Sequence, residues 1–535
     1  MILRKTIRFI LCVVAVNIVF GCQSPQPHGV ISSASPEATD VGVKILERGG
    51  NAIDAAVAIS FALGVTEPAM SGLGGGTQLL VSIPGTAPFL INGTTYAPAL
   101  TDSLIAKDSL TFHKRTTIPS TVKVLEYAWK KYGSGNISWE KLLEPAIDLA
   151  KNGFEVGRFR AAVYKQYEKS MTSSPYSTQL WLKDNSTIPA IGDRIVQPVL
   201  AKTMERLAVH GGTDFYSGEI AKTISMDMEK NGGWIRLNDL KNFPEPTELP
   251  ALHVQYKDHD VYSMPPPGGG YAVLQILKVY NQQQNSDLRD FEKWARALKM
   301  VHNDRDANPI KDLVKYEMEI DERLTEEYIN ALINAPELPD DSLDSSGETT
   351  HFSVVDKNGL AVAVTASINA YFGAKAASPE LGFFYNSYMD DFEFGKPDHP
   401  DAIRAGSMAF SSMSPTIVRK EGRTVLIVGS PGSKRIISTV AQVSANWIIK
   451  NDVTQAVNKK RFHVSGRNFY VEDLDLADSL LIVGVPGMRV RKANDTYLHD
   501  GVNAYFGGVH AIAWQNGQWV GAADPRRDGK VGYSK

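Results

Sequence analysis

Thr349-Thr350-His351-Phe352-Ser353-Val354-Val355-Asp356 runs straight into Lys357-Asn358-Gly359 and then into Leu360 to Asn369. Both flanks are rich in strand-forming residues, and Asn-Gly between two such runs is a strong hairpin signal. A two-residue loop would pair position 349 with about position 368. Thr349 and Asn369 are therefore expected side by side at the open end of one hairpin. Just before it, residues 335–348 are polar, acidic and rich in turn formers, which reads as an exposed mobile segment.

Further towards the N-terminus, small and apolar residues recur at helical spacing from Pro36 to Val65, broken by Gly49-Gly50-Asn51. That is helix, turn, helix. Gly72, Gly74, Gly75 and Gly76 precede the apolar stretch Leu79 to Ile83, a buried strand by pattern. This glycine cluster precedes a strand and opens no helix, so it is no dinucleotide fingerprint; it reads as a close backbone approach within a core. Residues 135–300 read as mostly helical, including Trp139 to Lys151, Ile220 to Lys230 and Tyr271 to Tyr280.

The chain has 535 residues, 43% apolar and 21% charged, which excludes disordered, collagen-like and coiled-coil classes. Its length allows three to four domain-sized units, or one large layered α/β structure. Lys and Arg number 56 against 59 Asp and Glu, a net charge of −3, so no global basic field would recruit nucleic acid. Two cysteines support neither a disulfide scaffold nor a multi-cysteine zinc site.

Arg4, Lys5 and Arg8 precede an apolar run from Phe9 to Phe20 that is too short to span a bilayer, which needs about 20 residues. Residues 1–21 read as a signal peptide. Val19-Phe20-Gly21-Cys22 resembles a bacterial lipoprotein box, in which Cys22 would carry the lipid; a plain signal peptide is the other reading. The expected location is the bacterial periplasm or cell envelope, with the membrane reached only through that anchor.

Familiar catalytic constellations are missing. The sequence has no G-x-S-x-G elbow, H-E-x-x-H pair, phosphate-binding G-x-x-x-x-G-K-[ST] loop or EF-hand loop. His351 reads as a structural strand residue, and Asp390-Asp391 lacks supporting metal ligands at useful spacing, so no metal is assigned. One remaining route is a threonine freed at a new chain terminus, whose own α-amine accepts the hydroxyl proton. A reference α-amine pKa of about 7.7–8.0 suits that task. Thr-Thr at a strand start is common, however, and does not alone separate a nucleophile from a strand residue.

The chain resembles the γ-glutamyltransferase (glutathione hydrolase) proenzymes, of the N-terminal-nucleophile hydrolase type. The carrying motifs are Gly49 to Ala56, Glu144 to Ala150 with Gly153-Phe154, Pro265 to Gly270 and Thr349 to Asp356. They continue with Met389 to Phe392, Ser411 to Thr416, Gly429 to Gly432 and Asp524-Pro525-Arg526. The resemblance implies an α+β fold, a four-layer α-β-β-α sandwich. It implies self-cleavage between Glu348 and Thr349 into a large subunit, 22–348, and a small catalytic subunit, 349–535, that stay intertwined as a heterodimer. Thr349 would attack γ-glutamyl amides through an acyl-enzyme, with water or an amino acid as acceptor and no cofactor. Thr350 and Ser367 match positions that position the nucleophile, and the backbone N–H groups of Gly432 and Ser433 match the oxyanion hole. Asn369, Asp391, Ser411 and Ser412 match positions that hold the glutamate amine and carboxylate.

Two positions depart from that pattern. The family's carboxylate-binding arginine falls on Thr94 in Thr94-Thr95-Tyr96-Ala97-Pro98, and threonine offers no bidentate charged pair. The residue before Met389, usually Glu or Gln facing the amine, is Tyr388. Three outcomes are open: Lys114 or Arg115 compensates, the enzyme cleaves a different acyl amide, or turnover is weak. A lipid-anchored binding protein that keeps the fold without turnover is the alternative from another class. Phe392 to Phe410 is expected to give at most a short lid.

Overall fold

In the computed structural model, which describes residues 29–173, 181–182, 186–335 and 347–535, the hairpin forms from Thr350–Asp356 and Ala361–Ser367. Its loop has three residues, not two. The Asp356 N–H donates to the Leu360 carbonyl at 3.1 Å, and Gly359 sits at φ 81°, the left-handed position such a loop requires. The Asp356 carboxylate holds the loop by accepting from the Asn358 and Leu360 N–H groups. Ala366 therefore pairs with Thr350, and the ladder extends to put 367 opposite 349, one residue from the expected register.

Two antiparallel sheets are built around this pair. Numbering their strands in chain order gives β1 (Gly29–Ser33), β2 (Gly76–Ser82), β3 (Phe89–Asn92), β4 (Thr247–Pro250), β5 (Leu252–Tyr256), β6 (His259–Ser263), β7 (Thr350–Asp356) and β8 (Ala361–Ser367). There follow β9 (Thr416–Lys420), β10 (Arg423–Val428), β11 (His510–Gln515), β12 (Gln518–Ala523) and β13 (Lys530–Ser534). The first sheet runs β13-β1-β7-β8-β2-β3-β4, the second β12-β11-β10-β9-β6-β5. Residues 135–300 are mostly helical, as expected, and also supply strands β4 to β6, of which β4 and β5 lie at the edges of the two sheets.

Side-chain alternation along the strands sorts residues into three cores. Val355, Ala361 and Ala363 of the first sheet meet Ile417, Ile427 and Ile512 of the second in a layer between the sheets. Phe352, Val354, Val362 and Val364 point the other way, beneath α1 (Pro36–Glu47), α2 (Ala52–Thr66) and their neighbours. Val418, Leu426 and Val428 lie beneath α3 (Gly270–Gln282), α4 (Asp290–Ala307) and α5 (Arg435–Lys450). The result is helix, sheet, sheet, helix, the expected four layers. Helix α2 is buried on every side and starts at Asn51, which forms a capping box with Asp54. Both sheets draw strands from each side of position 349.

Between the sheets His351 is buried, 2.9 Å from Thr365 Oγ1 and 3.3 Å from Ser353 Oγ. Burial holds its pKa well below the usual imidazole value, so it is a neutral core residue. A Cβ at Gly429 would stand 2.2 Å from its ring, so only glycine lets β10 pass.

The C-terminal turn is fixed by a buried ion cluster. Arg526 donates to both oxygens of Glu472 and to Asp524, while Arg461 donates to Asp524 at 2.6 Å. Although burial opposes ionisation, Arg461 and Arg526 hold the Asp524 carboxyl well below the usual carboxylate range. Removing one partner of such a set typically costs about 3–5 kcal/mol, because a buried charge is left uncompensated. The cluster sets the direction of the next residue, Arg527.

Candidate active site

The open end of the hairpin faces a cleft of about 560 Å³. Thr349, Ser367, Asn369, Tyr388, Asp391, Ser411, Ser412 and Ser433 all line it, so eight residues singled out in the sequence converge in one place. Thr349 and Asn369 lie together at the hairpin's open end: the Glu348 N–H donates to the Asn369 carbonyl at 2.5 Å. Asn369 adopts a left-handed φ of 73°, a conformation that asparagine tolerates well, and its side chain donates to the Ser387 carbonyl.

Ser367 is the hub. Its Oγ donates to the Glu348 carbonyl at 2.6 Å, accepts from the Asn369 N–H at 2.8 Å, and lies 3.4 Å from Thr349 Oγ1. The carbonyl preceding Thr349 is thus already polarised by a hydroxyl. Ser367 is held from behind by the glycine cluster: a Cβ at Gly75 would come within 2.3 Å of its carbonyl oxygen. That is the close backbone approach expected of those glycines. Tyr388 closes the cleft beside Ser367, and burial pushes its phenol far above the usual value, so it stays neutral.

Thr350 points away from the cleft and donates to Glu67 Oε2 at 2.5 Å. Glu67 stands at the C-terminal end of α2; burial raises its carboxyl pKa, and the bond from Thr350 opposes this. Gly432 (φ 126°) and Ser433 (φ 54°) form the turn that leads into α5, and Ser433 stands beside Gly347. Across the cleft, burial and then the neighbouring Asp390 push the Asp391 carboxyl up to about 7, while a hydrogen bond from Asn369 opposes the shift. The turn at Pro265 to Gly270 braces Ser411 to Met413, with Ser411 N–H donating to the Pro267 carbonyl and Gly269 N–H to that of Met413. The segment from Phe392 to Phe410 forms one wall of the cleft and is pinned to residues 95–97 by backbone hydrogen bonds.

Thr94 does not line this cleft. It donates to Asn92 and accepts from Gln78, and it lines a separate crevice near Phe243. Lys114 and Arg115 do not line the cleft either; Arg115 makes a bidentate pair with Asp390. The cations in the cleft wall are instead Lys107, Arg305 and Lys434.

The sequence reading also missed the two arginines that hold Glu348. Its carboxylate is buried and accepts from Arg527 Nη2 at 2.6 Å and Arg435 Nη2 at 3.3 Å. Both were near quoted motifs: Arg527 follows Asp524-Pro525-Arg526, and Arg435 opens the helix after Gly429 to Gly432. Cys22 and residues 1–21 lie outside the described residues, as does most of 335–348.

The gamma-glutamyltranspeptidase family model matches residues 38–534. The chain is 34% identical to the glutathione hydrolase proenzyme of Escherichia coli (strain K12), over 93% of this chain and 90% of that one. It is 31% identical to the glutathione hydrolase proenzyme of Bacillus subtilis (strain 168), over 94% and 90%. Among solved structures, the cephalosporin acylase from Bacillus halodurans superposes with a TM-score of 0.82 over 96% of this chain and 98% of that one. At 23% identity this is a likeness of fold. The Helicobacter pylori gamma-glutamyltranspeptidase gives a TM-score of 0.52 at 28% identity, covering 59% of this chain and 95% of that one.

Proposed function

The chain belongs to the gamma-glutamyltranspeptidase family and is an enzyme of that type, and on this premise we propose that Thr349 is its nucleophile, first in self-cleavage and then in turnover. The observation that carries the reading is the Ser367 hydroxyl on the Glu348 carbonyl, beside the Thr349 hydroxyl. In self-cleavage, Thr349 Oγ adds to the Glu348 carbonyl carbon, the C–N bond breaks, and the Thr349 amine is released. Water then hydrolyses the ester, leaving a carboxylate on Glu348 and restoring the hydroxyl. Ser367 stabilises the negative charge that develops on the carbonyl oxygen.

In the mature enzyme the free amine of Thr349 takes its own hydroxyl proton as the oxygen attacks the γ-amide of a glutamyl donor. The proton passes to the leaving amine, and the acyl-enzyme is released to water or to an amino acid. Backbone N–H groups of Gly432 and Ser433 receive the oxyanion. Asn369 and Asp391 hold the donor's ammonium, and Ser411 and Ser412 its carboxylate, with Lys107 and Arg305 supplying positive charge nearby. No cofactor enters these steps. The displacement of Thr94 from the cleft supports a second reading, in which the same chemistry acts on a different acyl amide.

Thr349→Ala is expected to abolish release of p-nitroaniline from γ-glutamyl-p-nitroanilide. Ser367→Ala should slow self-cleavage by roughly 10²–10³-fold, the usual effect of removing one oxyanion donor, read from a gel time course. Unchanged processing in that variant would contradict the role given to Ser367.

Asp391 binds an ammonium only when ionised, and its folded pKa is raised. The kcat/KM for the γ-glutamyl anilide should therefore fall as pH drops below about 7. Asp391→Asn should have lower activity and lose that part of the pH profile; a profile identical to wild type would exclude the assignment.

Export and lipidation at Cys22 complete the proposal. Cys22→Ala should move the protein from the membrane pellet to the soluble fraction, and an unchanged distribution would remove the anchor.

A further inference from the structure

Under the reading above, on which this inference rests, Thr349 Oγ attacks the carbonyl of the residue immediately before it. That step closes a small ring through the Thr349 nitrogen, Cα and Cβ, so it proceeds only when the backbone on both sides of the bond is turned the right way. Ser367 holds the Glu348 carbonyl. Each backbone rotation left free on either side would add an entropy cost at the transition state.

Arg527 reaches both residues joined by that bond. Its Nη2 donates to the Glu348 carboxylate at 2.6 Å, and its Nη1 stands 3.5 Å from the Thr349 carbonyl oxygen. The guanidinium thus straddles the bond from behind, and it does not line the cleft. Arg435 meets the other oxygen of the same carboxylate at 3.3 Å.

Arg527 is itself tightly held. Its side chain is shielded from solvent, and its guanidinium stacks on Phe159, 4.5 Å from the ring centre. Both chain neighbours are fastened. Arg526 belongs to the buried ion cluster, and the Asp528 carboxylate accepts from the Phe159 and Arg160 N–H groups in the first turn of the helix Arg158–Gln166. A Cβ at Gly508 would stand 2.3 Å from Arg527 Cδ, so the stem passes where glycine leaves room for it. None of the turnover steps above uses this cation.

We propose that Arg527 is a positioning residue for self-cleavage, which clamps Glu348 and Thr349 so that the Thr349 hydroxyl stays aligned with the Glu348 carbonyl. The clamp bonds to no reacting atom and moves no proton. It needs a carboxylate at position 348, so the side chain before the cut is part of the processing signal.

The test follows freshly translated chain on a denaturing gel for wild type, Glu348→Gln, Arg527→Ala and the double variant, with intact mass locating the cut. Glu348→Gln keeps the shape and removes the charge. Its self-cleavage should slow roughly 10- to 100-fold, the range that a small misplacement of reacting groups costs. Arg527→Ala should be at least as slow, and the double variant no slower than Arg527→Ala, because the two residues act through one contact. Millimolar guanidinium chloride, far below denaturing levels, should speed Arg527→Ala but neither the double variant nor wild type, and sodium chloride should speed none of them. A denaturant would not restore a residue that only stabilised the fold. Arg527→Gln runs the same cycle of rates if Arg527→Ala does not fold.

Glu348→Gln that cleaves at the wild-type rate overturns the clamp alone and leaves Thr349 as nucleophile. Independent, multiplying losses in the double variant do the same, as does a folded Arg527→Ala that guanidinium does not restore. A wild-type chain that stays whole, or is cut elsewhere than between 348 and 349, overturns the self-cleavage reading and the clamp with it.

Discussion

The pairing of Thr350–Asp356 with Ala361–Ser367 is the constraint on which the site depends. Its register is set at the far end by the three-residue loop at Gly359 and by the Asp356 carboxylate that closes it. At the near end that register brings Ser367 opposite the Glu348–Thr349 bond, so that one hydroxyl meets the Glu348 carbonyl and approaches the Thr349 hydroxyl. Because side chains alternate across a strand, a slip by one residue would turn Ser367 away and expose Val362 and Val364 to the wrong layer. The core that stabilises the fold and the geometry of the site are therefore set by the same pairing.

Electrostatics reinforce the same point from outside the sheet. The buried set of Arg461, Glu472, Asp524 and Arg526 fixes the last turn of the chain, and that turn directs Arg527 at Glu348. Arg435 reaches Glu348 from the start of α5. The Glu348 side of the 348–349 peptide bond is thus held by charge, and its carbonyl by the Ser367 hydroxyl. Thr350 and Glu67 anchor the strand behind Thr349. Three elements far apart in sequence immobilise one peptide bond, which is the kind of preorganisation that proximity catalysis requires.

Local patterning carried much of this architecture. Helices α1 and α2, the buried strand after the glycine cluster, the hairpin and the meeting of Thr349 with Asn369 all follow from spacing and turn residues. The hairpin register was off by one because Asn-Gly suits a two-residue turn as well as the three-residue loop that formed. Strands β4 to β6 do not stand out in the sequence because runs of four or five residues leave little signal among longer helical patterns. Thr94 illustrates a different limit: matching a motif position does not say where a side chain points, and here it turns to Asn92 and Gln78. Arg435 and Arg527 could not be paired with Glu348 from sequence, since they lie 87 and 179 residues away and meet it only through the folded sheets.

On the proposed mechanism the chain cuts itself at one bond and the new threonine terminus does the chemistry. Intact-mass measurement on denatured, purified protein reads this out. Two polypeptides are expected, one of them matching residues 349–535 with an unblocked N-terminal threonine. A single species of full length in a preparation that still hydrolyses its acyl substrate would contradict it.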